Sequence, residues 1–276
     1  MADTMDLEEK RAAFNKRFPN PPHVMVCCPT LCASAEHATV VFPALNAQIY
    51  PNFSVVFIDT NPAAAGTAYA ALPGLIQRFL LDKRTTILST STPTGANPKQ
   101  IVSEAREQLR QHFLASDATH LFFLDDDVVL PPTAVAMLFA HQKPSMVGVY
   151  LNPMSLREGH KGEVVPCVFI ELPQETGPSR VRIVQIIEVM PPTVFPIGIS
   201  GFGCSLFSRE VMAGTAFVFD PASPATEDSP FFLDLARRGI PSFCDTRVKC
   251  RHLKFPLGDE RNNMLDFDHY QLRYVA

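Results

Sequence analysis

Three consecutive aspartates at positions 125–127 directly follow an apolar run, residues 121–124, in the stretch THLFFLDDDVVLPP. Neighbouring carboxylates repel one another, and burial raises the cost of each charge. Because alternate side chains of a strand share a face, a brief continuation of the strand would point Asp125 and Asp127 one way and Asp126 the other. Such a pair could share Mg²⁺ or Mn²⁺, ions that normally also hold substrate phosphates. An acidic turn that faces water would give the same pattern.

Two further polar groups lie more than a hundred residues downstream, in TEDSPFFLDLARRG and DTRVKCRHLKF. Glu227 and Asp228 begin a predicted helix, where the helix dipole favours negative charge, with Thr226 as the expected N-cap and Gly239 as the C-cap. His252 lies near the end of an alternating, strand-like segment. Helix capping and an ordinary structural histidine are the alternatives that these residues leave open.

The elements that must position these residues follow from the periodicity of the first half. Apolar, strand-like runs (HVMVCC, FSVVFID, TTILST and THLFFL) alternate with amphipathic, helix-like runs (SAEHATVVFPALNAQ, NPKQIVSEAREQLRQHFLAS and PPTAVAMLFAHQ). Asn97 is a plausible N-cap, and Pro98 suits the first helical position. The alternation predicts an α/β fold with a mostly parallel sheet covered on both faces. Such sheets bind ligands at the carboxyl ends of their strands, where residues 125–127 fall.

The second half of the chain has a less regular pattern. PSMVGVYL, VVPCVFIEL and RVRIVQIIEVM are predicted strands, and the turn-like PQETGPS makes the last two a candidate hairpin. MPPTVFPIGISGFG is rich in Pro and Gly, which indicates an irregular loop. IPSFCDTRVKCRHL predicts one or two short strands. We therefore expect one α/β domain with a less regular second half.

Composition limits the class of protein. The chain has 276 residues, of which 46% are hydrophobic, so a sizeable core is expected. Its net charge of −4 argues against a dedicated nucleic-acid binder. No apolar run approaches the roughly 20 residues of a membrane helix, and the charged N-terminus lacks the apolar core of a signal peptide, so we expect a cytoplasmic protein. The seven cysteines lack zinc-type spacing and are expected to be buried and reduced.

The order of these motifs resembles that of the GT-A-fold glycosyltransferases, particularly the family-2-like enzymes that use nucleotide sugars. A strand ending in DxD is followed by the Gly-rich GISGFGCSLFSRE, by ED at the start of a helix, and by a strand ending in His. The resemblance extends from VCCPT to RHL. It implies one domain over residues 1–276, with a Rossmann-like nucleotide-sugar-binding half at about 22–150, an acceptor and catalytic half at about 151–255, and a tail at 256–276.

The resemblance also implies roles for individual residues. The metal ligands would be Asp125, Asp127 and His252, with Asp125 contacting either the ribose or the metal through water. Imidazole beside carboxylates is compatible with Mn²⁺. Asp228 would be the general base of an inverting transfer.

Other residues would contact the nucleotide sugar or the acceptor. The full set is Pro29, Thr30, Asp59, Lys99, Asp125, Gly201, Gly203 and Glu227. Pro29 and Thr30 would lie beside the nucleotide base, and Asp59 would form a hydrogen bond with that base or with the ribose. Lys99 could contact the diphosphate, as could Lys254. The alternatives are a strand-end turn for Asp59, surface solvation for the lysines and tight turns for the glycines.

The function implied is transfer of a sugar from a UDP- or GDP-sugar to a hydroxyl of a glycan or glycoconjugate, with Mn²⁺ or Mg²⁺ as cofactor. One alternative is a haloacid-dehalogenase-type phosphatase, since FFLDDDVV also fits its motif with Asp125 as nucleophile and Asp127 as acid/base. That motif usually lies near the start of the domain, and the late His has no role there. A sugar nucleotidyltransferase would carry a Gly-rich, basic loop after the first strand, which CCPTLCAS is not. A non-catalytic sugar-binding module of the same fold is the remaining alternative.

Overall fold

The computed structural model describes residues 6–30, 35–60, 72–79, 84–90, 96–153, 163–172, 180–223 and 225–274. The strands within these residues are β1 Val24–Thr30, β2 Phe53–Asp59, β3 Arg84–Ser89, β4 His120–Leu124, β5 Val128–Val129, β6 Ser145–Pro153, β7 Val164–Pro166, β8 Val168–Leu172, β9 Arg180–Ile183, β10 Val194–Ile197, β11 Ile199–Ser200, β12 Cys204–Ser208 and β13 Ser242–His252. The helices are α1 Leu7–Arg17, α2 Ala35–Asn46, α3 Leu72–Phe79, α4 Pro98–Leu114, α5 Ala134–Ala140, α6 Ile186–Val189, α7 Arg209–Gly214, α8 Asp228–Arg237 and α9 Asp268–Tyr274, with a 3₁₀ helix at Glu260–Leu265.

The main sheet has the strand order β10-β13-β6-β12-β4-β1-β2-β3. Strands β3, β2, β1 and β4 are parallel to their neighbours, and β13 is parallel to β6. Strand β12 runs antiparallel to both β4 and β6, and β10 runs antiparallel to β13. The predicted α/β fold with a mostly parallel sheet is therefore confirmed, because β4, β6 and β13 all point in the direction of β1.

Both faces of this sheet are buried, as the sequence predicted. Along β1, Val24 and Val26 pack into one apolar cluster, whereas Met25 and Cys27 pack into another on the opposite face. Helix α2 covers the first cluster and α4 covers the second. This two-sided burial explains why β1 reads as a continuous apolar run rather than an alternating one. The cysteines of this run are buried and form no disulfide among the described residues, and the same holds for Cys204, Cys244 and Cys250.

Two interpretations of the second half are wrong. The segment RVRIVQIIEVM is a strand only as far as Ile183, and helix α6 follows, with Gln185 and Glu188 forming a capping box. The segment MPPTVFPIGISGFG is not an irregular loop, because it contains β10 and β11. These short strands form through pairing with β13 and β8, which are distant in sequence. The predicted hairpin of β8 and β9 is confirmed, although its turn, PQETGPS, lies outside the described residues.

The helix ends follow local sequence signals with one exception. Asn97 accepts a hydrogen bond from the Lys99 amide at the start of α4, and Gly239 after α8 has φ +69°, a conformation that favours glycine. Thr226 is not the N-cap of α8; Glu227 occupies that position, and the Thr226 hydroxyl donates to Asp228 Oδ1 at 2.6 Å. None of the described helices is both long and apolar enough to cross a membrane.

Candidate functional site

A cleft with a volume of about 410 Å³ lies at the edge of the sheet where the parallel strands end. Strand β1 brings Pro29 to this edge, and β13 brings His252. The turn after β4 brings all three aspartates, and Asp228 enters from the first turn of α8. The fold therefore gathers most of the predicted site residues into one cleft, as expected for the carboxyl ends of parallel strands.

The three aspartates form a turn rather than a continuation of the strand. Strand β4 ends at Leu124, and the Val128 amide donates to the Asp125 carbonyl at 3.1 Å. The expected alternation is wrong, because Asp126 lines the same cleft and its Oδ2 accepts a hydrogen bond from Thr30 Oγ1 at 2.7 Å. Each aspartate has a different partner: Asp126 bonds Thr30, Asp125 bonds Arg106 and Asp127 lies beside His252.

Asp125 is paired with a buried arginine. Arg106 of α4 donates from Nη2 to Asp125 Oδ1 at 2.7 Å and from Nε to Glu227 Oε1 at 2.8 Å. Burial by itself would lower the pKa of Arg106, but the charges and hydrogen bonds of the two carboxylates outweigh it and raise that pKa. The guanidinium also lies about 5 Å from the ring centres of Phe123 and Phe202. Arg106 thus links the turn after β4 to the start of α8.

Asp127 faces His252 instead. His252 Nε2 lies 3.2 Å from Asp127 Oδ2, and Lys254 Nζ lies 3.7 Å from the same oxygen. Burial tends to raise the pKa of Asp127, but the hydrogen bond and charge of His252 and the charge of Lys254 lower it overall. His252 Nδ1 lies 2.8 Å from the Leu151 carbonyl oxygen, which can only accept, so Nδ1 carries a proton and Nε2 is the nitrogen turned to Asp127.

The Asp127–His252 pair fits a divalent cation as a two-residue donor set. An imidazole nitrogen and a carboxylate oxygen converge on one point of the cleft, and the Leu151 carbonyl fixes the ring in the way that outer partners orient metal-binding histidines. The expected three-residue set is not assembled, since no group of three or more His, Cys, Asp or Glu in the described part of the chain could hold a metal. Asp125 is paired with Arg106 instead, through its Oδ1.

Asp228 has the properties of a proton acceptor. Its Oδ1 accepts hydrogen bonds from Thr226 Oγ1 at 2.6 Å and from the Ser229 amide at 2.7 Å. The described residues make no hydrogen bond to Oδ2, which is left for a ligand in the cleft. Burial and the charge of Glu227 raise the pKa of Asp228, although these hydrogen bonds and Arg106 act in the opposite direction. A carboxylate with a raised pKa is a stronger base.

The two glycines of the Gly-rich segment allow close packing around Tyr150. A Cβ at Gly201 would collide with the Tyr150 hydroxyl and with Cys167 Sγ, and a Cβ at Gly203 would lie 3.0 Å from the Tyr150 ring. Tyr150 also packs edge-on against His252, with ring centres 5.3 Å apart. Gly201 lines the cleft, whereas Gly203 is not among the described residues that line it. Their immediate role is to admit an aromatic ring that supports His252.

The remaining predicted residues differ in position. Lys99, in the first turn of α4, lines the cleft. Asp59 is paired with Thr30 in the sheet and is only 3% exposed. It does not line the cleft among the described residues, so its contact with a nucleotide stays a prediction.

Sequence reasoning missed Arg106 and Tyr150. Helix α4 carries an apolar stripe that includes Ala105 and Leu109, and Arg106 lies beside it yet is only 4% exposed. A charged residue at the edge of an apolar stripe is the signal that could have marked it, since arginine is almost never fully buried unless it is paired. Neither residue belongs to the DxD, Gly-rich, ED or His motif on which the sequence prediction depended.

Comparison with known proteins gives structural matches only. No protein-family model matches the chain, and no curated protein matches it. The mannosyltransferase PcManGT from Pyrobaculum calidifontis, solved with GDP-Man and Mn²⁺, is 15% identical over 96% of this chain and 71% of that chain, with a TM-score of 0.51. The chain therefore has a GT-A-type fold similar to that of a glycosyltransferase.

Two other solved structures match with lower TM-scores. A197 from STIV is 17% identical over 83% of this chain and 85% of that chain, with a TM-score of 0.42. S. aureus TarS 1–349, solved with UDP-GlcNAc, is 13% identical over 85% of this chain, with a TM-score of 0.46. The match spans 57% of that TarS chain.

Proposed function

We propose that this protein is a metal-dependent glycosyltransferase that moves a sugar from a nucleoside-diphosphate sugar to an acceptor hydroxyl, with inversion at the anomeric carbon. One observation carries the proposal: Asp127, His252 and Asp228 line a single cleft at the carboxyl ends of parallel strands. The similar fold of PcManGT, a mannosyltransferase solved with GDP-Man and Mn²⁺, supports a nucleotide-sugar donor and a divalent cation.

The donor would occupy the half of the cleft formed by residues of about 22–150. Asp127 and His252 would hold Mn²⁺ or Mg²⁺, and such a cation supplies positive charge for the departing diphosphate. Pro29 would lie beside the base of a UDP- or GDP-sugar, and Lys99 and Lys254 would contact the diphosphate. Asp125 would contact the ribose through its second carboxylate oxygen, since Arg106 holds the first.

The acceptor would approach through residues of about 151–255. Asp228 Oδ2 would take the proton from the acceptor hydroxyl as its oxygen forms a bond to the anomeric carbon. The bond from that carbon to the diphosphate breaks in the same step, and attack from the opposite face inverts the configuration. Arg106 would position Glu227, and through it the helix start that carries Asp228. Alignment of both substrates in one cleft would supply much of the remaining acceleration.

The contacts of Asp125 weigh against the phosphatase alternative. A phosphatase of the haloacid-dehalogenase type needs this carboxylate as its nucleophile. Oδ1 of Asp125 is instead bound to Arg106, which is itself buried and shared with Glu227. The strand that precedes Asp125 is also the fourth of the described strands rather than the first.

The donor site is tested by calorimetric titration of UDP- and GDP-sugars into the protein with and without Mn²⁺. We expect at least one nucleotide sugar to bind in a manner that depends on Mn²⁺. This binding should be lost in Asp127→Ala, because the change removes the carboxylate that would hold the cation together with His252. Asp117→Ala is the matched control, since the Asp117 side chain is 92% exposed and is not among the residues lining the cleft. Unchanged binding in Asp127→Ala would refute the metal site.

The base is tested with Asp228→Asn, which keeps the size of the side chain but cannot accept the proton. We expect nucleotide-sugar binding within twofold of wild type and a loss of transfer of about 10²–10⁴-fold, the usual contribution of general-base catalysis. Release of nucleoside diphosphate from the donor, measured with a mixed glycan acceptor pool, follows the reaction. Transfer at the wild-type rate would remove Asp228 as the base.

A further inference from the structure

A second cavity, of about 210 Å³, lies beside the cleft. We call it the side cavity, and its walls include Ser103 of α4, Phe219 and Asp220 from the segment before α8, and Glu227 and Pro230 at the start of α8. Glu227 lines both the cleft and the side cavity, and so does its neighbour Thr226. The proposed base, the next residue along the chain, therefore adjoins the wall between the two spaces.

Ser103 has a buried hydroxyl with no hydrogen-bond partner. The side chain is only 1% exposed, and Oγ is unpaired in the described structure. Buried helical serines commonly bond back to a carbonyl of the preceding turn, but Ser103 does not. Other buried serines of this chain are paired: Ser145 Oγ donates to Ser242 Oγ at 2.8 Å, and Ser205 Oγ donates to the Gly201 carbonyl at 3.1 Å. Because Ser103 lines the side cavity, a ligand bound there is a candidate partner for this hydroxyl.

The other walls combine two carboxylates and the ammonium group of Lys99 with an apolar surface. Asp220 Oδ1 accepts from the Ala222 amide, and Glu227 Oε1 accepts from Arg106, so the second oxygen of each carboxylate has no hydrogen bond from the described residues. Phe219 and Pro230 supply the apolar surface. Carboxylate oxygens beside an aromatic ring suit a ligand with several hydroxyl donors and an apolar face, which describes a neutral pyranose ring.

We propose that the side cavity is an acceptor subsite that binds one neutral pyranose unit of the acceptor glycan. This unit is the neighbour of the one whose hydroxyl reaches Asp228. The inference rests on the proposed function, because it needs Asp228 to mark the point of transfer.

The subsite is tested by saturation-transfer-difference NMR on the full chain with Mn²⁺ and with GDP or UDP present. The probes are methyl α-mannoside, methyl β-glucoside and methyl N-acetyl-β-glucosaminide. We expect at least one to bind, and Ser103→Ala and Phe219→Ala to weaken its binding at least fivefold. Ser103→Ala should keep or raise the melting temperature, because it removes an unpaired buried hydroxyl. Ser145→Ala is the matched control: it should lower the melting temperature and keep glycoside binding.

Nucleotide binding in the same samples separates this inference from the proposed function. If wild type binds a glycoside and both variants lose it while they keep nucleotide binding, the subsite is supported. The inference is overturned if wild type binds none of the three probes, if both variants bind them as wild type does, or if the variants lose nucleotide binding as well. Failure of wild type to bind any nucleotide with Mn²⁺ would instead refute the proposed function, whatever the glycosides do.

Discussion

Replacement of Arg106 by leucine removes the cation that joins two acidic segments of the cleft. Arg106 is 4% exposed and lies 2.7 Å from Asp125 and 2.8 Å from Glu227. Removal of one partner from a buried ion pair costs about 3–5 kcal/mol, because the remaining charge loses its compensation. Asp125 is 30% exposed, so solvent screens part of its charge. The substitution also removes Nη1 of Arg106, a buried donor without a hydrogen-bond partner, and this gain offsets about 1 kcal/mol of the loss in stability. We expect a net loss of about 3 kcal/mol.

Urea unfolding followed by circular dichroism measures this loss as a lower midpoint at an unchanged slope. Arg182→Leu is the matched control, because Arg182 pairs with Glu188 in a similar two-bond geometry but is 40% exposed. Exposed ion pairs contribute little to stability, so this variant should unfold close to wild type.

A compensating variant tests the cause of the loss. Changing Asp125→Asn and Glu227→Gln in the Arg106→Leu background removes the two uncompensated charges, so the triple variant should be more stable than Arg106→Leu by itself. The reasoning would be refuted by an Arg106→Leu variant within 1 kcal/mol of wild type, or by a triple variant no more stable than the single one.

Two further predictions concern packing and pH. Gly201→Ala should cost about 1–3 kcal/mol, because the added Cβ collides with the Tyr150 hydroxyl, and Tyr150→Phe in that background should recover part of the loss in urea unfolding. Additive losses would contradict this. Asp245 is buried, which raises its pKa, but hydrogen bonds from Arg247 and His141 lower it overall, so its stabilisation holds at neutral pH and fades as pH falls below about 4. Wild type should therefore exceed Asp245→Asn in melting temperature at pH 7 and lose that advantage in acid; a pH-independent gap would contradict the assignment.

Much of the first half of the fold could be predicted because its signals are local. The strand before the aspartates, the N-cap Asn97 and the C-cap Gly239 each depend on residues within a few positions of one another. The continuous apolar run of β1 predicted burial on both faces, and the two core clusters confirm it. The Gln185–Glu188 capping box of α6 was also a local signal, but it lay within an apolar run that resembled a strand.

The parts that could not be predicted depend on partners far along the chain. Strands β10 and β11 exist because β13 and β8 offer them hydrogen bonds, and their own Pro-rich sequence gives no strand signal. Asp126 was expected to face away from the cleft, but Thr30, 96 residues earlier, bonds to it. The turn after Leu124 overrode the strand alternation on which that expectation depended.

The sequence by itself determined which chemical groups are available and on which edge of the sheet they collect. Strand ends and helix starts fix the approximate positions of Asp127, Asp228 and His252, because these positions follow from local periodicity. Only the tertiary structure decided which partner each carboxylate has: Asp125 pairs with Arg106, and Asp127 pairs with His252. The physical reason is that a carboxylate turns toward the cation or donor nearest in space, and sequence spacing does not encode that distance.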